Sequence, residues 1–199
     1  MGKWLGLGIL AILVVFGFSI AGSYNSLVSL DQAVQSQWGQ VENVYQRRAD
    51  LVPNLVETVK GAAAFEKDTF TAVTEARSRV GQISPGAMDK VINDPAAFEK
   101  FQSSQDALSS ALSRLLVVVE KYPELKATQN FRDLQAQLEG TENRIAVERM
   151  RYNEAAQAFN TKRNSFPTVL VVGFFGGRFN EKPYFKAQPG AEQAPRVKF

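Results

Sequence analysis

The chain has 199 residues, and its 23 Lys and Arg against 20 Asp and Glu leave a formal net charge of only +3. That is one ordinary domain with attachments, large enough to bury a core. The absence of cysteine and histidine excludes disulfides, thiolate nucleophiles, iron–sulfur clusters and Cys-ligated zinc, together with the usual general base and the usual pH switch. Basic residues are interleaved with acidic ones instead of gathering on one face, so no nucleic-acid partner is expected, and no cofactor.

Residues 1–23 read as an N-terminal transmembrane anchor. Trp4, Leu5, Leu7, Ile9, Leu10, Ile12, Leu13, Val14, Val15, Phe16, Phe18 and Ile20 form an apolar run preceded by a single charged side chain, Lys3. At ~1.5 Å per residue, Trp4 to Gly22 covers roughly 28 Å, close to the ~30 Å hydrocarbon core. Ser19-Ile20-Ala21 offers the small-x-small pattern of a cleaved signal. The run, however, outlasts a secretory h-region of ~7–15 residues, and Trp4 and Tyr24 stand where interfacial aromatic anchors would. An uncleaved, single-pass anchor is the expectation. Lys3 on one flank, and no Lys or Arg on the other until Arg47, place the N-terminus in the cytoplasm and the body outside the cytoplasmic membrane.

Residues 24–165 show helical periodicity throughout. Leu27, Leu30, Val34, Trp38, Val41 and Tyr45 form one apolar stripe; Leu55, Val59, Ala62, Phe70, Val73 and Val80 form a second. After a break in GQISPGAMDKVINDP, Asp94-Pro95 reads as an N-cap with proline at the first helical position. A third stripe runs from Phe98 through Leu108, Leu112 and Leu115 to Tyr122, where Tyr122-Pro123-Glu124 turns the chain. The fourth runs from Phe131 through Leu138, Ile145 and Tyr152 to Phe159. One-sided amphipathic helices with short connections predict an all-α fold, an antiparallel up-and-down four-helix bundle behind the anchor. Its fourth helix returns toward the membrane.

Within this pattern YQRRADLVPNLVETVKG, residues 45–61, is anomalous. It reads as the corner between the first two helices, with Asp50 as N-cap, Pro53 in the first turn and solvated arginines over the preceding carbonyl end. A corner leaves Gln46, Arg47, Arg48, Asp50 and Asn54 as a candidate partner surface. Glu142, Arg144, Glu148, Arg149, Arg151 and Glu154 read as a solvated face of i,i+3 and i,i+4 pairs, with Glu148 on the apolar stripe and in need of a partner if buried.

The stretch YNSLVSLDQAVQSQWGQVENVYQRRADLVPNLVETVKG resembles the N-terminal signature of the LemA family of bacterial membrane proteins, and FEKDTFTAVTEARS, YPELKATQNFRDLQAQLEGTENRIAVERMRYNEAAQAFN and FPTVLVVGFFGG continue the likeness. The resemblance implies a single-pass membrane protein carrying a four-helix bundle, and it supplies no reaction. KGAAAFEK departs from the family, which has an aromatic and a histidine there, so no histidine-dependent role carries over to that turn.

Residues 166–199 break the helical grammar. Val169, Leu170, Val171, Val172, Phe174 and Phe175 form a dense β-prone run, too short to span a bilayer. It is expected to be extended and covered by its own bundle, by lipid or by a neighbouring subunit. From Gln188 a disordered or extended end is expected. The functional expectation is a non-enzymatic, membrane-anchored scaffold of the bacterial cell envelope. It would hold lipid through the N-terminal helix, self-associate through the Val169–Phe175 run as a homo-oligomer, and bind other membrane or envelope proteins. The alternative is an envelope enzyme using fourth-helix carboxylates with Mg²⁺.

Overall fold

The computed structural model describes residues 2–60, 67–82 and 88–187. Every regular element among them is helical: α1 (Gly2–Lys60), α2 (Lys67–Gly81), α3 (Met88–Val91), α4 (Pro95–Val119), α5 (Pro123–Lys126), α6 (Gln129–Asn164), α7 (Thr168–Phe175) and a 3-10 turn (Gly176–Phe179). The expected core position Ala62, the departure at KGAAAFEK and the chain from Gln188 onward lie wholly or largely outside the described residues.

Helix α1 contains 59 residues and no break. In its first part Trp4, Leu7, Leu10, Val15, Phe16 and Phe18 are all exposed, and this stretch is apolar and long enough to cross a membrane. Burial begins at Ser23 and then recurs at Leu27, Val34, Trp38, Val41, Tyr45, Arg48, Val52, Leu55 and Val59. From Val34 the steps alternate between four and three residues, which keeps one face inward.

The corner expected at residues 45–61 is therefore not there. Asp50 is an exposed mid-helix residue accepting a 2.8 Å hydrogen bond from Gln46 Nε2, one turn earlier. Pro53 lies inside the helix, where its missing N–H frees the carbonyl of Ala49. That carbonyl accepts from Arg77 Nε of α2 at 3.3 Å. A partner from a second helix thus takes over a backbone bond that the proline removes, and α1 continues to Lys60.

Helices α1 and α6 pack along their lengths and run in opposite directions, as the pairs Gln37–Glu148 (2.9 Å) and Arg48–Glu142 (3.0 Å) require. Helix α2 packs on α4. The core has two parts. One surrounds Trp38, whose ring lies 5.1–6.0 Å from those of Phe98, Phe101, Tyr152 and Phe185. The other joins Val52, Leu55 and Val59 to Val73, Leu112, Leu115, Phe131 and Leu138. Asp94 caps α4 as expected: its side chain accepts from Ala96 N at 2.9 Å, with Pro95 at the first helical position.

Residues 169–175 are helical and not extended. Among the described residues there is no strand to pair with, and a helix satisfies its own backbone while burying Thr168 and Val171 against α1 and α6. Beyond the 3-10 turn, residues 180–187 have no regular structure, and side-chain amides bind their backbone. Asn160 donates to Lys182 O (2.8 Å) and accepts from Lys182 N (2.9 Å). Asn153 does the same for Phe185 (3.0 and 2.9 Å), and Gln102 for Lys186 (3.0 and 3.3 Å). Asn153 and Asn160 are two helical turns apart, ~10.5 Å; three extended residues cover ~10 Å, so the two periods match.

The Ala49–Arg77 contact is testable by a double-mutant cycle. Pro53→Ala restores the N–H that Ala49 O lacks, so Arg77→Ala should cost about 0.5–1 kcal/mol in the native chain and close to nothing beside Pro53→Ala. Equal costs of Arg77→Ala in both backgrounds, measured by denaturant unfolding, would show that the carbonyl is satisfied by solvent instead.

Candidate functional site

The two apolar core regions meet at a polar layer. Arg48, expected at the surface, is 1% exposed. It occupies the inward position of α1 between Tyr45 and Val52, and α4 and α6 supply its partners. Its Nη1 donates to Ser109 Oγ (2.6 Å) and to Glu142 Oε1 (3.0 Å). Its Nη2 donates to the carbonyl of Gln105 (3.2 Å) and closely to the Gln105 side-chain oxygen. The guanidinium also stands 4.9 Å from the centre of the Tyr45 ring. A planar fork with several donors suits such a site, whereas an unpaired buried charge would be costly.

A second arginine closes the layer. Arg149 Nε donates to the Tyr45 hydroxyl at 2.6 Å, and its Nη2 reaches Asp106 at 3.0 Å. The same guanidinium lies 4.9 Å from the Phe185 ring centre. Tyr45 therefore has a cation on its ring and another on its hydroxyl. Burial pushes its phenol above the ordinary value, and the Arg149 charge and hydrogen bond only partly counter this. Burial also pushes Tyr152 upward, with Tyr184 adding to it, and the Tyr152 hydroxyl has no hydrogen-bond partner among the described residues.

Beside this layer a cleft of about 480 Å³ opens between α1, α2 and α4, lined by Glu42, Tyr45, Gln46, Asp50, Arg77 and Gln105 among others. Two residues of the expected partner surface, Gln46 and Asp50, stand on its wall. Arg47 and Asn54 are exposed on α1 and do not line it. Arg48 lies behind it, reached through Gln105. The cleft presents carboxylates, amides and one guanidinium, a lining suited to charged or hydrogen-bonding side chains of a peptide. Along α6, Glu148 accepts from Gln37 (2.9 Å) and Arg151 (3.0 Å), so its carboxylate is already paired. Among the described residues no three Asp or Glu side chains converge as a metal site.

The family model of the LemA family matches residues 37–199. The chain belongs to the LemA family. This LemA-family chain is 26% identical over 200 residues to magnetosome protein MamQ 2 of Paramagnetospirillum magneticum, covering 92% of this chain and 73% of that protein. Magnetosome protein MamQ of Magnetospirillum gryphiswaldense is 25% identical over 194 residues, covering 90% and 71%. Protein LemA of Metamycoplasma hominis is 24% identical over 158 residues, covering 79% and 67%. The matched stretch includes the polar layer, the cleft and the clamps on residues 180–187.

Arg48 left a signal in the sequence. It lies three residues after Tyr45 and four before Val52, a stripe position. Gln105 holds the equivalent place between Phe101 and Leu108. Two polar residues on apolar stripes point to a shared buried layer. The amide clamps left no such signal, since Asn153, Asn160 and Gln102 resemble any polar residue of a helix.

The two adjacent arginines should separate on substitution. Arg47→Ala is expected within about 0.5 kcal/mol of the native chain. Arg48→Ala should cost about 1–3 kcal/mol, because the buried Gln105 loses a charged donor, while the Glu142 carboxylate, 39% exposed, is taken up by water. Equal small losses in denaturant unfolding would mean that the layer does not hold the helices together.

Alkaline pH should destabilise the fold in a tyrosine-dependent way. Tyr45 and Tyr152 hold their protons more tightly when folded, so from about the ordinary phenol value of 10.0 upward the unfolded chain releases protons first, and stability falls as pH rises. Tyr152→Phe removes an unpartnered hydroxyl. It should leave stability at pH 7 unchanged or raised by up to about 1 kcal/mol, and weaken the loss above pH 10 in thermal melts. An alkaline loss identical to that of the native chain would assign it to other groups.

Proposed function

We propose that this LemA-family protein is a non-enzymatic, membrane-anchored scaffold of the bacterial cell envelope. It displays a four-helix bundle built from the body of α1 with α2, α4 and α6. The anchor crosses the cytoplasmic membrane once, with the N-terminus inside and the bundle outside. The observation that carries this reading is the unbroken α1: one helix begins as an exposed apolar run and ends as a buried core element, so body and anchor move as one rigid piece. Support for the bundle comes from the opposed directions of α1 and α6, the packing of α2 on α4, and a core drawn from these helices.

Partner binding is assigned to the α1 surface of Gln46, Arg47, Asp50 and Asn54 together with the adjoining cleft. Gln46, Asp50 and Asn54 recur every four residues along one exposed face. Arg48 is not part of that surface, since its side chain is buried and its two terminal nitrogens donate to α4 and α6. Carbon-rich interfaces bury more area, yet charge and amide groups confer register and partner choice, which suits a transient envelope contact.

Photocrosslinking in intact cells tests this. A benzophenone amino acid at Arg47 or Asn54 should give discrete protein adducts that Asp50→Lys reduces, while the same probe at Arg144 on the exposed face of α6 should not. No adduct from the α1 positions, or the same adducts from Arg144, would end the assignment.

A further inference from the structure

Helix α7 has two faces, and the outer one carries no polar side chain among its described residues. Thr168 and Val171 are fully buried against the body, and Val172 packs on the core around Trp38. Turned away from them, Val169, Leu170 and Phe174 are 46%, 41% and 80% exposed, and Phe166 just ahead of the helix is 78% exposed. Within the helix, Val169, Leu170, Gly173 and Phe174 fall on one side. The outer face of a surface helix is ordinarily polar; this one holds aliphatic and aromatic carbon and needs an apolar cover.

Position and charge say what covers it. Helix α7 packs on α1 and α6. The Phe179 ring that follows it meets Tyr24 edge-on at 5.6 Å, and Arg178 lies 5.5 Å from the same Tyr24 ring. Tyr24 sits where α1 passes from exposed to buried: Phe18, six residues earlier or ~9 Å along the helix, is the last large side chain of the exposed apolar run. Helix α7 and the turn after it thus lie beside the end of the span. No Asp or Glu occurs between Glu154 and Glu181, whereas Lys162, Arg163 and Arg178 fall in that interval. The nearest acid across on α1, Asp31, is paired with Lys182 at 2.7 Å. This end of the body is therefore cationic around an apolar face, the combination that seats a helix at an anionic lipid surface.

We infer that α7 is a second membrane contact, lying in the interface of the bilayer that α1 crosses, with Phe166, Val169, Leu170 and Phe174 among the acyl chains and Lys162, Arg163 and Arg178 at the headgroups. The inference rests on the reading of α1 as a span. Helix α7 would then fix the tilt and rotation of the body, which one anchor helix alone leaves free.

The chain has no cysteine, so single-cysteine variants give unique spin-label sites in the full-length protein. The variants are Phe174→Cys and Leu170→Cys on α7, Phe16→Cys in the span and Ser113→Cys on exposed α4. They are reconstituted in equimolar phosphatidylglycerol and phosphatidylcholine. Labels at 174 and 170 should relax several-fold more with oxygen than with a water-soluble nickel chelate, as at 16, and the label at 113 should show the reverse. Nickel access at 174 and 170 with oxygen preference at 16 overturns the seating of α7 alone. Nickel access at 16 overturns the span and the inference with it. Protection from both reagents, with spin–spin broadening that vanishes on dilution by unlabelled protein, would give the face to a second copy of the chain and overturn the lipid contact.

Discussion

A single helix that leaves an apolar medium and enters a protein core must satisfy its backbone by itself in the first and against neighbours in the second. Helix α1 joins an exposed apolar part to a buried part without a break. From Leu7 to Phe18 its large apolar side chains face outward and a helix pairs its own backbone, as an apolar medium would require. From Ser23 onward the same helix acquires partners, and its two irregularities are met by other helices, Arg48 by α4 and α6 and Pro53 by α2. Ser109, Gln105 and Glu142 surround the guanidinium; Arg77 takes the carbonyl that the proline frees. Were either left unmet, α1 would have a reason to bend or stop at the middle of the body, and its exposed apolar part would no longer be joined to the far core by one helix.

The Arg48 layer also explains why the core is in two parts. A guanidinium with partners on α4 and α6 can sit at one level only; a slip of one helical turn would strand it against Phe101 and Ile145 on one side or Leu112 and Leu138 on the other. Such a layer contributes less to net stability than apolar packing would, and its gain is register. Arg149 adds a second tie at the neighbouring turn, linking Tyr45, Asp106 and the Phe185 ring, so the chain's last described segment is held by the same cationic layer.

The tail illustrates how a backbone can be satisfied without secondary structure. Residues 180–187 bring unpaired N–H and C=O groups to the side of a body that has no strand among its described residues. Asn160, Asn153 and Gln102 stand in for one, each presenting a donor and an acceptor at strand-like separation. Lys182 is drawn inward with its backbone and neutralised by Asp31, its ammonium 5.0 Å from the Phe159 ring.

The sequence alone determined the features that arise from local periodicity. These are the apolar N-terminal run, the all-helical body, the stripes through Trp38 and Leu112, and the Asp94 cap, because each depends on residues within a few turns of one another. Tertiary structure decided the rest. The Arg-Arg-Ala-Asp-Leu-Val-Pro stretch carries good local signals for a corner, yet it is mid-helix, since the groups that relieve Pro53 and Arg48 lie on α2, α4 and α6, far away in the chain. Val169–Phe175 has strand propensity, yet it is helical, since propensity in a β-branched run is decided by what the run packs against, and here it packs on helices. Local signals choose an element only when no distant partner outbids them, and at Arg48, Pro53 and α7 the distant partners did.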